Sequence, residues 1–126
     1  MPLPRIHPHR AATQLLALLC VGCVFQDPPG QGPKALLGYR TAEPVIAALN
    51  VYHTDSGAYP PRLEQLVPQY LAESTLAAPP GWTNVNWPKY SLTSEGYALG
   101  FWYSGPGSNT CTYGSATAAW ACRGAY

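Results

Sequence analysis

The feature that most constrains the fold of this 126-residue chain is an apolar stripe that ends in a strong helix stop. Between residues 45 and 53, apolar and aromatic side chains recur at steps of three and four, which is the spacing along one face of an amphipathic helix. The stripe consists of Val45, Ile46, Leu49, Tyr52 and His53. Because such a helix must bury its apolar face against another layer, the pattern predicts a sheet elsewhere in the chain.

Signals for the two ends of this helix flank the stripe. Glu43 and Pro44 suit a first turn, because a proline sacrifices no hydrogen bond there and a carboxylate favours the positive end of a helix. We therefore expect the helix to begin near Ala42. At the other end, Gly57 can adopt the left-handed conformation that closes a helix, and Pro60 cannot continue one. The chain is expected to turn between Asp55 and Pro61.

The second half of the chain predicts a short helix and then an antiparallel sheet. A second apolar face comes first and is formed by Leu63, Leu66, Val67 and Tyr70. Strict alternation follows a turn at residues 94–96, and its aromatic side carries Tyr97, Leu99, Phe101 and Tyr103. A last strand is expected near residues 119–122. The predicted fold class is α+β, with one amphipathic helix and a short second helix packed on a small antiparallel sheet of three to four strands.

Two cysteines in the aromatic C-terminal region, Cys111 and Cys122, predict a disulfide bond. An export signal precedes them, and disulfides persist in oxidising compartments outside the cytoplasm. The pair would close a loop of about twelve residues, which stabilises a protein by roughly 3 kcal/mol on the chain-entropy model. Two free buried thiols are the alternative. A zinc pair is less favoured, because His53 is the single histidine after Cys23 and lies in another element.

The export signal is read from the first residues of the chain. Arg5 and Arg10 supply a positive region, and the run from Ala11 to Phe25 is apolar apart from two polar residues. This run is shorter than the roughly 20 residues that span a bilayer as a helix. Its end, LLCVGC, resembles the lipobox of bacterial lipoproteins and predicts lipid attachment, such as palmitate, at Cys23. Cys20 is a poorer site because Leu19 before it is too large, and a plain signal peptide or an uncleaved anchor stays open.

These signals divide the chain into three predicted parts. Residues 1–22 form the signal peptide, residues 23–34 form the lipid attachment site and a Pro/Gly-rich tether, and residues 35–126 form the α+β domain. The membrane is thus the expected partner, through the lipid anchor. Val24 stands where an Asp would retain a Gram-negative lipoprotein at the inner membrane. The expected location is the periplasmic face of the bacterial cell envelope, anchored in the outer membrane.

The segment from Ala42 to Leu71 resembles the globular domain of type II secretion pseudopilins and type IV pilin-like proteins. In those families a helix ending in A-L-x-x-Y-x-x-x-x-G-x-Y-P leads into L-x-x-L-V and a small antiparallel sheet. The matching residues here are Ala48, Leu49, Tyr52, Gly57, Tyr59, Pro60, Leu63, Leu66 and Val67. Members of those families are made with a prepilin leader, in which a Glu follows five residues into a long hydrophobic helix. No acidic residue lies between Met1 and Gln26 here, so a lipoprotein-like signal stands in place of that leader. The resemblance implies a structural or interaction domain, accessory to a secretion or pilus system, with a protein partner in the envelope.

Charge and motif content argue against other functional classes. Charged residues make up 10% of the chain, and the residues after Cys23 carry five cations and six anions, a net charge of −1, so no nucleic-acid partner is expected. The chain contains no Gly-x-Ser-x-Gly elbow, His-Glu-x-x-His pair or phosphate-cradling glycine loop, and His53 and Asp55 cannot face each other on a helix. We therefore predict no enzyme activity. Because no Asp or Glu follows Glu95, the calcium site of major pseudopilins is not expected, and no metal or cofactor is predicted.

Aromatic residues supply a second functional hypothesis, a glycan- or peptidoglycan-binding module. Aromatic side chains make up 12% of the chain, and an exposed indole offers a large contact area at low entropic cost. The candidate exposed binding aromatics are Trp82, Trp87 and Trp102, of which Trp102 alternates away from the predicted core face. The alternative is that these side chains, together with Trp120, fill the core and its rim, because few leucines follow Leu76.

Overall fold

The computed structural model describes Pro2 and residues 27–125. One long helix, α1, is followed by two short 3-10 helices and four strands, β1 to β4. The helices span Gly32–Ser56, Leu63–Leu66 and Glu73–Leu76, and the strands span Lys89–Thr93, Gly96–Ser104, Ser108–Gly114 and Ala119–Ala125. Within this part of the chain no helix is long and apolar enough to cross a bilayer. The predicted lipid site at Cys23 and the predicted signal peptide, apart from Pro2, lie outside the described residues.

Helix α1 begins at Gly32, ten residues before the predicted onset near Ala42, so that prediction is wrong. Pro33 stands in the first turn and provides the start that we assigned to Pro44. Pro44 instead lies inside the helix, where its missing N–H leaves a carbonyl one turn earlier without its helical partner. The side chain of Pro44 is exposed, so this loss occurs on the side of the helix where water can replace the bond.

The C-terminal end of α1 confirms the predicted stop. Gly57 has a φ of 77°, which is the left-handed conformation, and its N–H donates to the carbonyl of His53 at 2.8 Å. This geometry is common where a helix closes on a glycine, because a Cβ atom would be strained there. The helix therefore ends where the sequence pattern placed it.

The buried face of α1 is built mainly from small residues. It consists of Ala35, Gly38, Ala42, Val45, Ala48 and Leu49. Ile46 and Tyr52 are partly buried, whereas His53 is exposed and does not belong to the buried stripe. A Cβ atom on Gly38 would overlap the Phe101 ring, because the ring atoms lie closer to that position than van der Waals contact allows. Small residues let the backbone of the helix approach the aromatic face of the sheet.

The sheet is an antiparallel meander in the order β1-β2-β3-β4, which confirms the α+β class and the four-stranded form of the prediction. Thr93 pairs with Gly96, so a two-residue turn joins β1 to β2 where the turn was expected. The predicted aromatic side of β2 is buried against α1. Its members are Tyr97, Leu99, Phe101 and Tyr103. The core therefore lies between one helix and one face of one sheet.

The predicted disulfide is present and joins the last two strands. Cys111 of β3 lies directly opposite Cys122 of β4, and their sulfur atoms are bonded. Cys111 is fully buried and Cys122 is partly buried. The Tyr39 hydroxyl of α1 lies 3.1 Å from the sulfur of Cys122, so the helix contacts the bridge directly.

The end of the predicted tether is part of the domain. The N–H of Gly30 donates to the Tyr103 hydroxyl at 3.0 Å, and the Tyr39 hydroxyl donates to the carbonyl of Gly30 at 2.9 Å. Residues 32–34 already belong to α1. An extended tether reaching to residue 34 is therefore wrong for its second half, because Gly30 finds two tyrosine partners on the domain.

Candidate functional site

A cluster of tyrosines fixes the turn that follows α1, and we call residues 52–70 around it the Tyr-Pro corner. The Tyr59 ring stacks on His53 at a centroid distance of 4.3 Å and meets Tyr97 edge-on at 4.8 Å. Pro60 is fully buried, and its carbonyl accepts a hydrogen bond from the Tyr90 hydroxyl at 2.7 Å. The corner is thereby joined to β1 and β2 of the sheet.

The second half of the corner closes back on the helix. Tyr70 packs edge-on against Tyr52 at 5.2 Å, and its hydroxyl donates to the carboxylate of Asp55 at 3.0 Å. This hydrogen bond raises the pKa of Tyr70 above its ordinary value. Leu63 and Leu66 are buried in the same core as the helix. The residues of the pilin-type pattern thus join the helix end, the first 3-10 helix and the sheet.

Two tyrosines of the sheet, Tyr90 and Tyr97, contact the Tyr-Pro corner and are partly or fully buried. Desolvation raises the pKa of Tyr90 to about 12, and it raises the pKa of Tyr97 further. The hydroxyl of Tyr97 and the indole N–H of Trp87 have no hydrogen-bond partner among the described residues. These two phenols contribute to the corner by packing and, for Tyr90, by its hydrogen bond to the carbonyl of Pro60.

The groups that could perform acid-base or metal chemistry are dispersed in the described part of the chain. His53 is exposed and stacks on Tyr59, while Asp55 is engaged by Tyr70. Residues 27–125 contain no group of three or more His, Cys, Asp or Glu side chains that could hold a metal ion.

Of the three tryptophans predicted to be exposed, Trp87 is wrongly placed. Its side chain is completely buried, because the loop before β1 folds it into the core. Trp82 is partly buried and packs against Phe101 at 5.7 Å. Trp102 is half-buried and lies on the opposite side of β2 from the core residues, as the alternation predicted. Trp120 packs against Phe101 at 5.4 Å, at the rim of the core.

Trp102 lies on the outer face of the sheet, which we define as the side turned away from α1. By strand register this face carries positions 89, 91 and 93 of β1, even-numbered positions 98–102 of β2, even-numbered positions 110–114 of β3, and positions 119, 121 and 123 of β4. Most of these residues are Gly, Ala, Ser or Thr. Trp102 is the single aromatic residue among them, and Lys89 and Arg123 are the charged ones.

The sequence reasoning found Trp102 but missed the residues around it. Lys89 and Arg123 stand on different strands and become neighbours of one surface only through the register of all four strands. Ser108 opens β3 and accepts a hydrogen bond from the Trp102 indole N–H at 2.5 Å. The usable signal was the alternation of small residues with aromatic ones along β2.

Comparison of the chain with protein-family models, with curated proteins and with solved structures finds no match.

Proposed function

We propose that this chain is a non-catalytic, membrane-tethered protein of the bacterial cell envelope whose pilin-like domain serves as a structural or interaction module, accessory to a secretion or pilus system. The Tyr-Pro corner is the observation that carries the proposal. Tyr59 and Pro60, the centre of the pilin-type pattern, join the end of α1 to the sheet, and the resemblance implies a helix that leads through this pattern into a small antiparallel sheet.

Two further observations support the extracytoplasmic part of the proposal. The bond between Cys111 and Cys122 favours an oxidising compartment. The charged fraction of 10% leaves a surface rich in hydroxyl and amide groups, which suits a protein outside the cytoplasm. The lipoprotein-like pattern ending at Cys23 supplies the tether. Because α1 begins at Gly32, nine positions after Cys23, the N-terminal end of α1 would face the membrane.

The non-catalytic part rests on the arrangement of the polar groups. The one histidine of the domain stacks on an aromatic ring, and the nearby carboxylate of Asp55 holds a tyrosine hydroxyl. Both side chains are exposed, and each is occupied by a tyrosine, so we assign them structural contacts rather than general acid-base catalysis. An interaction module needs only a stable scaffold and an accessible surface.

The experiment combines deletion of the gene with cross-linking in the bacterium that carries it. Deletion should lower the export of secreted enzymes or the number of surface pili, and the wild-type gene should restore them. In-cell cross-linking of the tagged full-length chain should recover subunits of the same secretion or pilus assembly from the envelope fraction. Gly38→Leu is the matched control, because it retains the tether and disrupts the contact between α1 and Phe101.

Two results would overturn the proposal. The first is recovery of the protein from the cytoplasm. The second is a combination of two observations. The deletion strain has normal secretion and normal pili, and the wild-type chain and Gly38→Leu, each expressed in that strain at equal levels in the envelope, cross-link to the same proteins. A carbohydrate-binding role is the second candidate, and the placement of Trp102 on the outer face favours it.

A further inference from the structure

The outer face of the sheet presents one large aromatic ring above a floor of small side chains. Trp102, Thr110 and Arg123 form one row across β2, β3 and β4, and Lys89, Gly100 and Thr112 lie in the next row. Gly100 has no room for a side chain, because a Cβ atom would lie 2.6 Å from the carbonyl oxygen of Cys111. The floor beside the ring therefore stays low.

Trp102 is held in place on three sides before any ligand arrives. Its backbone N–H donates to the carbonyl of Asn86 at 2.9 Å, and its carbonyl accepts a hydrogen bond from the Asn86 side chain at 2.9 Å. Its indole N–H donates to Ser108. Because the indole donor is already satisfied, the part of the ring that remains accessible is free for stacking. A fixed aromatic group loses little conformational entropy on binding.

Two shallow depressions lie on the outer face at positions that neighbour Trp102 by strand register, although the Trp102 ring lines neither of them. One has a volume of about 420 Å³ and includes Lys89, Gly100 and Thr112 in its lining. The other has a volume of about 220 Å³ and includes Thr110 and Arg123. Both are lined by hydroxyl groups and a cation. Such a combination of an aromatic platform with hydroxyl donors suits a sugar ring, whose C–H face is apolar and whose edge is polar.

The charges of the outer face select among sugars. Lys89 and Arg123 are both exposed, and none of its described positions is an Asp or Glu. They stand on β1 and β4, three strand spacings apart, or about 14 Å across the sheet. An extended chain that carries repeated carboxylates can contact both cations while one of its rings stacks on Trp102. A neutral sugar would leave both cations unused.

We propose that the outer face binds a linear acidic polysaccharide, of the class built from uronic acids, with Trp102 as the stacking platform and Lys89 and Arg123 as carboxylate-binding residues. This site lies on the side of the sheet opposite α1 and the Tyr-Pro corner. The proposal deepens the carbohydrate-binding candidate and does not depend on a role in a secretion or pilus system, since the two roles use opposite sides of the sheet.

The test is a titration of the full-length protein, purified in detergent with its disulfide intact. An oligogalacturonate is the acidic probe, a cello-oligosaccharide is the neutral one, and binding is followed by calorimetry and tryptophan fluorescence. The acidic probe should bind more tightly than the neutral one, and its affinity should fall as salt is added. Trp102→Ala should weaken binding by roughly tenfold or more, as truncation of a central aromatic contact does.

Matched variants separate the ring from the charges. Trp82→Ala removes a tryptophan that packs against Phe101 inside the domain, and it should leave the affinity unchanged. Lys89→Gln combined with Arg123→Gln should remove the preference for the acidic probe together with its salt dependence. Circular dichroism of each variant verifies that the fold is retained, and Trp102→Phe, which keeps a flat ring, should retain part of the affinity.

Four results would overturn the proposal. They are no binding of the acidic probe, equal binding of both probes without salt dependence, binding that survives Trp102→Ala, and tighter binding of peptidoglycan fragments than of the oligogalacturonate. Gel filtration supplies an independent outcome. A dimer that Trp102→Ala dissociates would mean that a second copy of this chain covers the outer face, and the polysaccharide site would be excluded.

Discussion

Truncation of Leu49 tests how the helix is held against the sheet. The Leu49 side chain is completely buried and belongs to the same core as Leu66 and Leu99. Leu49→Ala removes apolar contacts and leaves a cavity that the neighbours fill only in part, which costs roughly 2 to 5 kcal/mol. A typical domain is stable by about 5 to 15 kcal/mol, so this change removes a large share of the total. A loss of about 3 kcal/mol lowers the melting temperature of a domain this small by roughly 12 to 24 °C.

The assay is urea unfolding of the purified protein, followed by tryptophan fluorescence and circular dichroism. The neighbouring residue provides the control, because Asn50 is exposed on the same helix and Asn50→Ala should change the free energy of unfolding by less than about 0.5 kcal/mol. Equal and small effects of the two substitutions would refute the reasoning. They would show that the apolar stripe of α1 is not buried against a sheet.

Three further predictions concern packing, the disulfide and pH. Gly38→Ala should lower the free energy of unfolding in urea, because the new Cβ atom would overlap the Phe101 ring. In an exposed helix the same change raises the free energy of unfolding by about 1 kcal/mol, so a gain in stability would contradict the close packing of Gly38 on Phe101. Reduction of the bond between Cys111 and Cys122 should cost roughly 3 kcal/mol, and an unchanged melting temperature would argue against its role. Burial raises the pKa of Tyr90 to about 12, so the neutral Tyr90 phenol contributes its full stability below pH 10 and loses it as the pH rises towards 12. The free energy of unfolding should decline over this range, and Tyr90→Phe should flatten the decline.

The parts of the fold that could be predicted from the sequence are those with a local pattern. The stop at Gly57 depends on a single backbone conformation, which glycine adopts readily. The aromatic side of β2 follows from alternation with a period of two, and all four of its residues are buried. Such signals need no knowledge of the rest of the chain.

The start of α1 shows why another part could not be predicted. Pro44 and Pro33 are both compatible with a first turn, and the choice between them depends on what residues 32–41 pack against. The first ten residues of α1 are buried through Ala35 and Gly38, whose side chains are too small to form a recognisable apolar stripe in the sequence. Close backbone approach to Phe101 is a tertiary property, and periodicity of large apolar residues does not detect it.

The candidate site shows the same division. Trp102 was found because its strand alternates, whereas Trp87 was wrongly placed because the loop before β1 has no periodicity from which burial could be inferred. Lys89 and Arg123 are 34 positions apart in sequence, and only the complete register of the sheet brings them onto one face. A surface formed by four strands is not visible in any single segment of the chain.

An exported, lipid-anchored domain is the central claim, and the intact mass of the protein taken from the cell envelope tests it most directly. We expect a chain that begins at Cys23 and retains 104 residues, carries the added mass of lipid acyl groups, and is two hydrogens lighter than after reduction. Cys23→Ala should abolish the lipid mass. An unprocessed chain of 126 residues, or a processed chain without acyl groups, would contradict the claim.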